Sequence, residues 1–435
     1  MTSIWENNAS IQRFCELDGD LNTDTLIIGG GIAGLLCAYK LKAAGVDCIL
    51  LEADRILGGV TGGTTAKLTL AHGLIYDRLI KSFGIESARL YLEAQKEALA
   101  EYDSLCQDID CDYERKDSYV YSLTDRYKID NELKALDRLG VIAEPSDAPE
   151  LPFKVAGAYK MELQAQVHPL KLLYAVAKTL PIYENTKVRE YLPHKVKTNR
   201  GNVSFEKLIV ATHFPVFNKH GGYSLKLYQH RSYVLALGGA EHIDGMYVDE
   251  ADTGLSFRQT GDVLLIGGGG HRTGKDGGAW QVLERFSNKY YEKAEIVARW
   301  ATQDCMTLDG IPYVGQYSRN TPNVYVVTGF NKWGMTNAMA SANILRDLIM
   351  GKSNPYEELF SPTRTMLRPQ LFVNALESAK GLLTIKAPRC PHLGCALNYN
   401  RAEHSWDCPC HGSRFSDDGE LLNGPATDDH PTIGK

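Results

Sequence analysis

Short apolar runs that end in glycine turns punctuate this chain, and their order sets the architecture to expect. Residues 24–52 begin with the run Leu26-Ile27-Ile28, pass through a glycine turn into a helix-like stretch starting near Ile32, and close on a second run, Cys48-Ile49-Leu50-Leu51, that ends at Glu52. Runs of this length bounded by turn residues predict strands flanking a helix. A similar unit lies near the C-terminal side: Val324-Tyr-Val-Val-Thr328 predicts a strand, Gly329 a turn, and Asn337–Ile349 a helix. Tyr233-Val-Leu-Ala-Leu237 and Val263-Leu-Leu-Ile-Gly267 alternate or run apolar between turns and predict strands of another sheet. Residues 76–149 read differently. Glu93-Ala-Gln-Lys-Glu-Ala-Leu-Ala-Glu101 places charges at helical spacing, which a solvated helix face explains. Pro355 and Pro362 mark a boundary, and Leu371–Leu383 predicts one more helix.

Length and composition narrow the class. A chain of 435 residues is long enough for two or three domains with their own cores. With 44% hydrophobic and 23% charged residues and a net charge of −6, it carries no basic runs, which argues against nucleic acid or an anionic membrane as partner. The apolar stretch Leu26–Leu41 is broken by Gly29, Gly30, Gly31 and Gly34 and is too short to span a bilayer. The opening residues Met1-Thr-Ser-Ile-Trp-Glu6 lack a charged-then-apolar signal pattern, so a cytoplasmic location is expected. Of ten cysteines, four crowd into the last 46 residues; the others are scattered, Cys37 and Cys48 within apolar runs where thiols are usually core.

The first glycine turn, Gly29-Gly-Gly31-Ile32-Ala33-Gly34, carries specific chemistry. Gly29 permits the tight turn, Gly31 lets the backbone approach a pyrophosphate, and Gly34 allows close helix–strand packing. The pyrophosphate would lie on the free N–H groups of the helix start. Glu52, eighteen residues after Gly34, is placed for a ribose hydroxyl pair, with Ala53 beside it. Strand, turn, helix, strand and acid fall in register, a pattern that suits NAD and FAD equally. The loop Gly58-Gly59-Val-Thr61-Gly62-Gly63-Thr64-Thr65-Ala66-Lys67-Leu68 is made of small residues that let backbone approach a flat ring. A second helix start, after Gly329, at Trp333-Gly334-Met335-Thr336, can face the electron-rich end of a reduced flavin.

With Leu208-Ile-Val-Ala-Thr212, which resembles an internal strand common in flavoproteins, these motifs resemble the FAD-dependent D-amino-acid oxidase superfamily that includes glycine and sarcosine oxidases, over residues 20–350. The match is closest to members with a fused iron–sulfur tail, through Thr64-Thr-Ala-Lys-Leu-Thr69 and Asp309-Gly-Ile-Pro-Tyr-Val-Gly315. The resemblance implies an α/β protein: a Rossmann-like FAD-binding domain (1–75, 150–215 and 305–350) interleaved with an α+β substrate domain (76–149 and 216–304). A linker (351–389) and a short all-β module (390–435) would follow. It also extends the FAD contacts to Val188 and Thr212.

The tail reads Cys390-Pro-His392 and, after fifteen intervening residues, Cys408-Pro-Cys410-His411. Two pairs, each of one cysteine and one histidine, suit a [2Fe–2S] centre with two sulfurs on one iron and two nitrogens on the other. The competing reading is a Cys₂His₂ zinc site, whose ligands usually come as a cysteine pair and then a histidine pair. The segment resembles the Rieske family, in which the two further cysteines, here Cys395 and Cys410, form a disulfide bracing the cluster loops. Only Leu382–Pro388 precedes Cys390 as possible sheet, so the module is abbreviated and needs support from elsewhere.

The resemblance implies hydride transfer from a carbon bearing an amine to the flavin. A substrate carboxylate would need a fork-like donor, and Arg231, Arg258 and Arg272 are candidates, with His271 alongside. Gly270-His271-Arg272-Thr-Gly274 resembles the stretch of sarcosine oxidase that carries an oxygen-activating lysine, here replaced by Arg272. The expected function is therefore oxidation of a small amine or amino acid, with electrons leaving singly through the Rieske cluster to an acceptor protein. Two alternatives are a non-catalytic flavin/iron–sulfur electron-transfer module and an oxygen-using amine oxidase with a structural metal tail.

Overall fold

The structure is a computed structural model and describes residues 3–7, 9–217, 220–384 and 386–433. The two apolar runs around the first glycine turn are neighbouring parallel strands, Leu21–Ile28 and Cys48–Leu51, joined by the helix Ile32–Ala43. Leu26, Ile27, Leu50 and Leu51 are all buried: Ile27 and Leu50 pack on the face covered by helices, and Leu26 and Leu51 pack on the other face with Val196, Phe205 and Phe214. Its strands run in the order Tyr313–Gln316, Val324–Thr328, Asn202–Val210, Leu21–Ile28, Cys48–Leu51, Ile182–Tyr183, with the hairpin of Val188–Leu192 and Lys195–Thr198 attached to Asn202–Val210. The second long helix, Gly334–Ile349, packs on Ile32–Ala43 through small side chains, Ala338 and Ala342 among them, which lets the two backbones approach.

A nine-stranded mixed sheet forms the second domain, with Glu295–Thr307, Leu227–Gly238, Val263–Arg272, Ser256–Thr260, Met246–Asp249, Glu114–Ser122, Gly157–Gln166 and Lys67–Leu68 in that order and Glu144–Ser146 on Gly157–Gln166. Alternation along Leu227–Gly238 explains its burial on both sides. Tyr233, Leu235 and Leu237 pack toward Trp280 and Leu283 of the helix Ala279–Tyr290. Val234 and Ala236 point the other way, into the main core. The stretch 76–149 holds the expected helices, Ile75–Phe83, Ile85–Leu105 and Arg126–Arg138, and also contributes the strands Glu114–Ser122 and Glu144–Ser146. The span 150–215 expected for the nucleotide domain includes Gly157–Gln166, which pairs in the second sheet.

The tail forms a four-stranded antiparallel sheet, Asn398–Asn400, Ser405–Asp407, Arg414–Ser416 and Leu421–Asn423. The helix Pro369–Leu383 precedes it, as its apolar pattern predicted.

Candidate functional site

A cavity of about 1170 Å³ runs between the two large sheets. The glycine turn forms one end. Gly29 has φ of +111°, and a Cβ there would lie 2.5 Å from the carbonyl oxygen of Ala211. Gly34 lies outside the cavity: a Cβ on it would overlap the carbonyl oxygen of Gly29, so its absence sets how closely helix and strand pack. Glu52 accepts hydrogen bonds from Gly30 N–H (2.6 Å) and Asp54 N–H (3.0 Å), and burial raises its carboxyl above the usual range. Thr61 Oγ1 accepts from Ile32 N–H at 3.0 Å, tying the small-residue loop to the helix start.

Gly29, Gly31, Ile32, Ala33, Glu52, Ala53, Gly59, Thr61, Thr64, Thr65, Ala66, Lys67, Val188, Thr212, Gly329, Trp333, Gly334 and Met335 all face this one cavity. Gly62 and Thr336 sit behind the wall. A Cβ on Gly62 would lie 2.8 Å from Leu57 O, and Thr336 Oγ1 is 3.0 Å from His72 Nε2. His72 has no counterpart in the sequence reading. It stacks on Trp333 with ring centroids 4.7 Å apart, and burial drives its pKa down to about 3, so the imidazole is neutral. Burial likewise lowers Lys67 to about 7. His168 caps the helix Pro169–Ala177 through Lys171 N–H at 3.2 Å, a structural role.

Cys305 lies in the cavity wall, its Sγ 3.5 Å from Thr328 Oγ1, and burial pushes the thiol up to about 12. A thiol held protonated at neutral pH is a poor nucleophile. Acid denaturation is therefore expected to release the flavin into the supernatant; yellow colour that stays with the precipitated chain would contradict this.

The tail module sits against the same cavity. Cys390, Cys408 and His411 are buried, and the His392 and His411 rings lie 4.9 Å apart. Burial lowers His392 to about 3 and His411 to about 4, leaving neutral imidazoles of the kind metals require. His411 Nδ1 is buried with no hydrogen-bond partner among the described residues, a nitrogen a metal would satisfy. Cys390 N–H donates to Cys395 O at 2.8 Å, closing the first cluster loop. The sulfurs of Cys395, Cys408 and Cys410 lie within 4.8 Å of one another. The bridge expected between Cys395 and Cys410 is not formed here; both are free thiols. The cysteine–histidine set thus fits a [2Fe–2S] cluster, with Cys390, His392, Cys408 and His411 as the residues that would hold it.

The support missing from the tail comes from the second sheet. Gln303 Nε2 donates to Gly412 O at 2.9 Å, and Arg272 Nε donates to Pro409 O at 3.0 Å. Gly274 admits Pro409, whose nitrogen would lie 2.6 Å from a Cβ there. Leu421–Asn423, Ala426 and Thr427 of the tail also form part of the cavity wall, and Asp428 pairs with Arg189.

These contacts account for the four substrate candidates, none of which faces the cavity. Arg272 holds the cluster loop and also donates to Asn374 Oδ1 at 3.0 Å. Arg258 is fully buried and donates to the carbonyls of Thr65, Ala66 and Val167, anchoring the small-residue loop. His271 Nε2 meets Tyr233 Oη at 2.9 Å. Arg231 forms a buried pair with Glu403 of the tail, which also binds Arg414 at 2.7 Å. Each of the three arginines was a candidate carboxylate receptor; Arg231 finds its carboxylate in the chain itself, and Arg258 and Arg272 donate to backbone carbonyls. Besides Lys67 of the small-residue loop, the cations that do face the cavity are Arg55, Arg78, Lys187, Lys332 and Arg368, which no sequence motif marks.

Burial opposes ionisation of Glu403, yet the guanidiniums of Arg231 and Arg414 hold its carboxyl below the usual value of 4.5. The resulting stabilisation is complete above pH 4.5 and is lost as pH falls through the lower folded-state value. Removing one member of a buried charge network typically costs about 3–5 kcal/mol. Glu403→Gln is expected to loosen the tail, seen as faster limited proteolysis between the flavin and tail modules; unchanged digestion would contradict an anchoring role.

A dinucleotide cavity between two sheets, with a cysteine–histidine module docked on its wall, defines a flavoprotein oxidoreductase carrying an iron–sulfur domain. The family model described as FAD dependent oxidoreductase matches residues 24–348, and the chain belongs to that family. A Rieske [2Fe-2S] domain model matches residues 361–433, so that match takes in the helix before the cluster loops. The protein is thus an enzyme that binds FAD and a [2Fe–2S] cluster. It is 33% identical to the Bacillus subtilis (strain 168) protein YhfW, named as a Rieske 2Fe-2S iron-sulfur protein, over 98% of this chain and 96% of that one. It is 25% identical to the gamma-glutamylputrescine oxidoreductase of Escherichia coli (strain K12), over 79% of this chain and 87% of that one. Glycine oxidase from Geobacillus kaustophilus shares the fold, with a TM-score of 0.67 at 20% identity over 80% of this chain and all of that one. No helix among the described residues is long and apolar enough to cross a membrane.

Proposed function

We propose that the enzyme oxidises the C–N bond of a small amine or amino acid and passes the electrons singly to the Rieske module. FAD supplies the hydride acceptor, and the cluster a one-electron site. The observation that carries this reading is a shared wall. Phe214 faces the cavity, and its ring centroid lies 6.1 Å from those of both His392 and His411. Gln303 also faces the cavity while binding Gly412 of the cluster loop.

The chain's own groups suit an amine. Asp249 and Asp304 line the cavity, and burial raises both carboxyls above the usual range, so they can hold a proton from an ammonium substrate. Ser232 Oγ orients Asp304 through a 3.2 Å hydrogen bond. An amino-acid carboxylate would meet Arg78 or Lys332. That relatives and fold neighbours are named for a gamma-glutamylputrescine oxidoreductase, a glycine oxidase and an L-proline dehydrogenase supports the substrate class. An anaerobic screen of amines and amino acids should find compounds that bleach the flavin; failure of every amine, alongside bleaching by a reduced protein carrier, would overturn the reading.

A further inference from the structure

The helix Pro369–Leu383 is turned inside out. Its inward residues are Asn374, Glu377 and Gly381, small or polar and spaced three and four apart. Asn374 Nδ2 donates to Leu225 O at 3.0 Å, and Glu377 pairs with Lys275. The large outward residues are mostly apolar, with Lys380 among them: Phe372 is 64% exposed, Leu376 62% and Leu383 79%. A surface helix normally shows the opposite arrangement, and a contiguous exposed apolar face marks an interaction site.

What lies beneath gives this face its meaning. A Cβ on Gly381 would come within 2.7 Å of Cys410 Sγ, so the helix backbone touches the cysteines that flank the cluster loops. The cluster histidines face Phe214 and the flavin cavity on the other side. The module therefore has an inner face toward the flavin and an outer face under this helix, with the half-exposed Leu393 of the first cluster loop at its margin. The exposed charges on and beside this face are basic, Lys380, Lys386 and Arg389, in a chain whose net charge is −6, and the helix's one acid, Glu377, is paired with Lys275. Arg364 and Arg368 are not part of it: Arg364 is paired with Asp309 and Arg368 faces the flavin cavity.

We propose that this face is the docking site of a one-electron carrier protein with an acidic rim and an apolar centre. The proposal rests on the reading that electrons leave through the cluster. Each encounter oxidises the reduced cluster by one electron and reduces the carrier's metal by one, with no proton or atom transferred. Basic rim residues steer the acidic carrier, and the apolar helix face seats it.

The test uses the holoenzyme with its cluster reduced by dithionite and excess reductant removed, so the flavin need not supply electrons. The probes are an acidic blue-copper protein, a basic c-type cytochrome and a small neutral quinone. The acidic carrier should be reduced at least about tenfold faster than the basic one at low salt, and the gap should close as salt screens the rim charges. Phe372→Ser/Leu376→Ser and Lys380→Glu/Lys386→Glu should each slow the acidic carrier about tenfold or more. They should also weaken its calorimetric binding to the oxidised enzyme, and leave the quinone rate unchanged. Equal rates for the two carriers, or variants without effect, would overturn the proposal. So would a patch variant that changes the sedimentation of the enzyme alone, which would make the face a self-association surface. Loss of wild-type binding to anionic vesicles in the patch variant would assign the helix to a membrane surface and overturn it equally. Failure here while substrate still reduces the cluster would leave the proposed function intact; a cluster that substrate never reduces would sink that reading instead.

Discussion

Replacing Cys408 by serine is expected to strip the protein of iron and acid-labile sulfide while leaving its flavin in place. Cys408 is fully buried, and its sulfur lies within 4.8 Å of those of Cys395 and Cys410. A hydroxyl is a far weaker ligand for iron than a thiolate, and a cluster held by four side chains does not survive the loss of one. Iron and sulfide should fall from about two of each per chain to background. The reduced-state paramagnetic resonance signal should vanish, and reduction of a protein carrier should fall with it, while amine-dependent bleaching of the flavin persists. The conservative exchange Cys305→Ser, far from these ligands in sequence, should keep the cluster. One zinc per wild-type chain in place of iron would contradict the assignment.

A methyl group at Gly34 should abolish FAD binding. The added Cβ would overlap the carbonyl oxygen of Gly29, the residue that makes the tight turn with φ of +111°. Helix Ile32–Ala43 would have to move off its strand, which takes the N–H groups of the helix start away from the phosphate position. Overpacking of this kind typically costs about 1–3 kcal/mol in stability. The larger effect is on the ligand: Gly34→Ala should weaken FAD binding at least about 100-fold, each tenfold step being about 1.4 kcal/mol. Fluorescence titration of the apoprotein with FAD measures it. Gly45→Ala is the control, since Gly45 also has positive φ (+76°) but nothing within 4 Å of a Cβ; it should lose some stability and keep FAD. Normal affinity in Gly34→Ala would show that the turn does not set the site.

The FAD half of the site was legible because its signals are local. Glycines, helix starts and a strand-ending acid occur at spacings fixed by backbone geometry, so the motif residues converge on one cavity. The Rieske domain of the tail was legible for the same reason, from the spacing of its cysteine–histidine pairs. The substrate side was not. Arg231, Arg258 and Arg272 bear the chemistry of a carboxylate receptor, but their partners are Glu403, the carbonyls of Thr65 and Ala66, and Pro409, as many as 193 residues away. Nothing in the local pattern distinguishes an arginine that awaits a ligand from one that pins two modules together. Phe214 and Gln303, which join cavity to cluster loops, gave no sequence signal, because contact across a docked interface has no period. The helix Pro369–Leu383 was expected from its apolar residues, yet those residues face outward and its polar ones inward. Apolar periodicity locates a helix without saying which side the protein covers.

The most direct measurement mixes the anaerobic holoenzyme with an amine that bleaches the flavin, freezes samples at intervals and records the paramagnetic resonance of the cluster. The predicted result is a reduced-cluster signal that follows flavin bleaching within a turnover. In Phe214→Ala that signal should appear at least about tenfold later, roughly 1.4 kcal/mol on the barrier, with bleaching unchanged. A flavin that oxygen reoxidises at the rate of turnover, while the cluster stays oxidised throughout, would contradict electron flow from the cavity to the Rieske module.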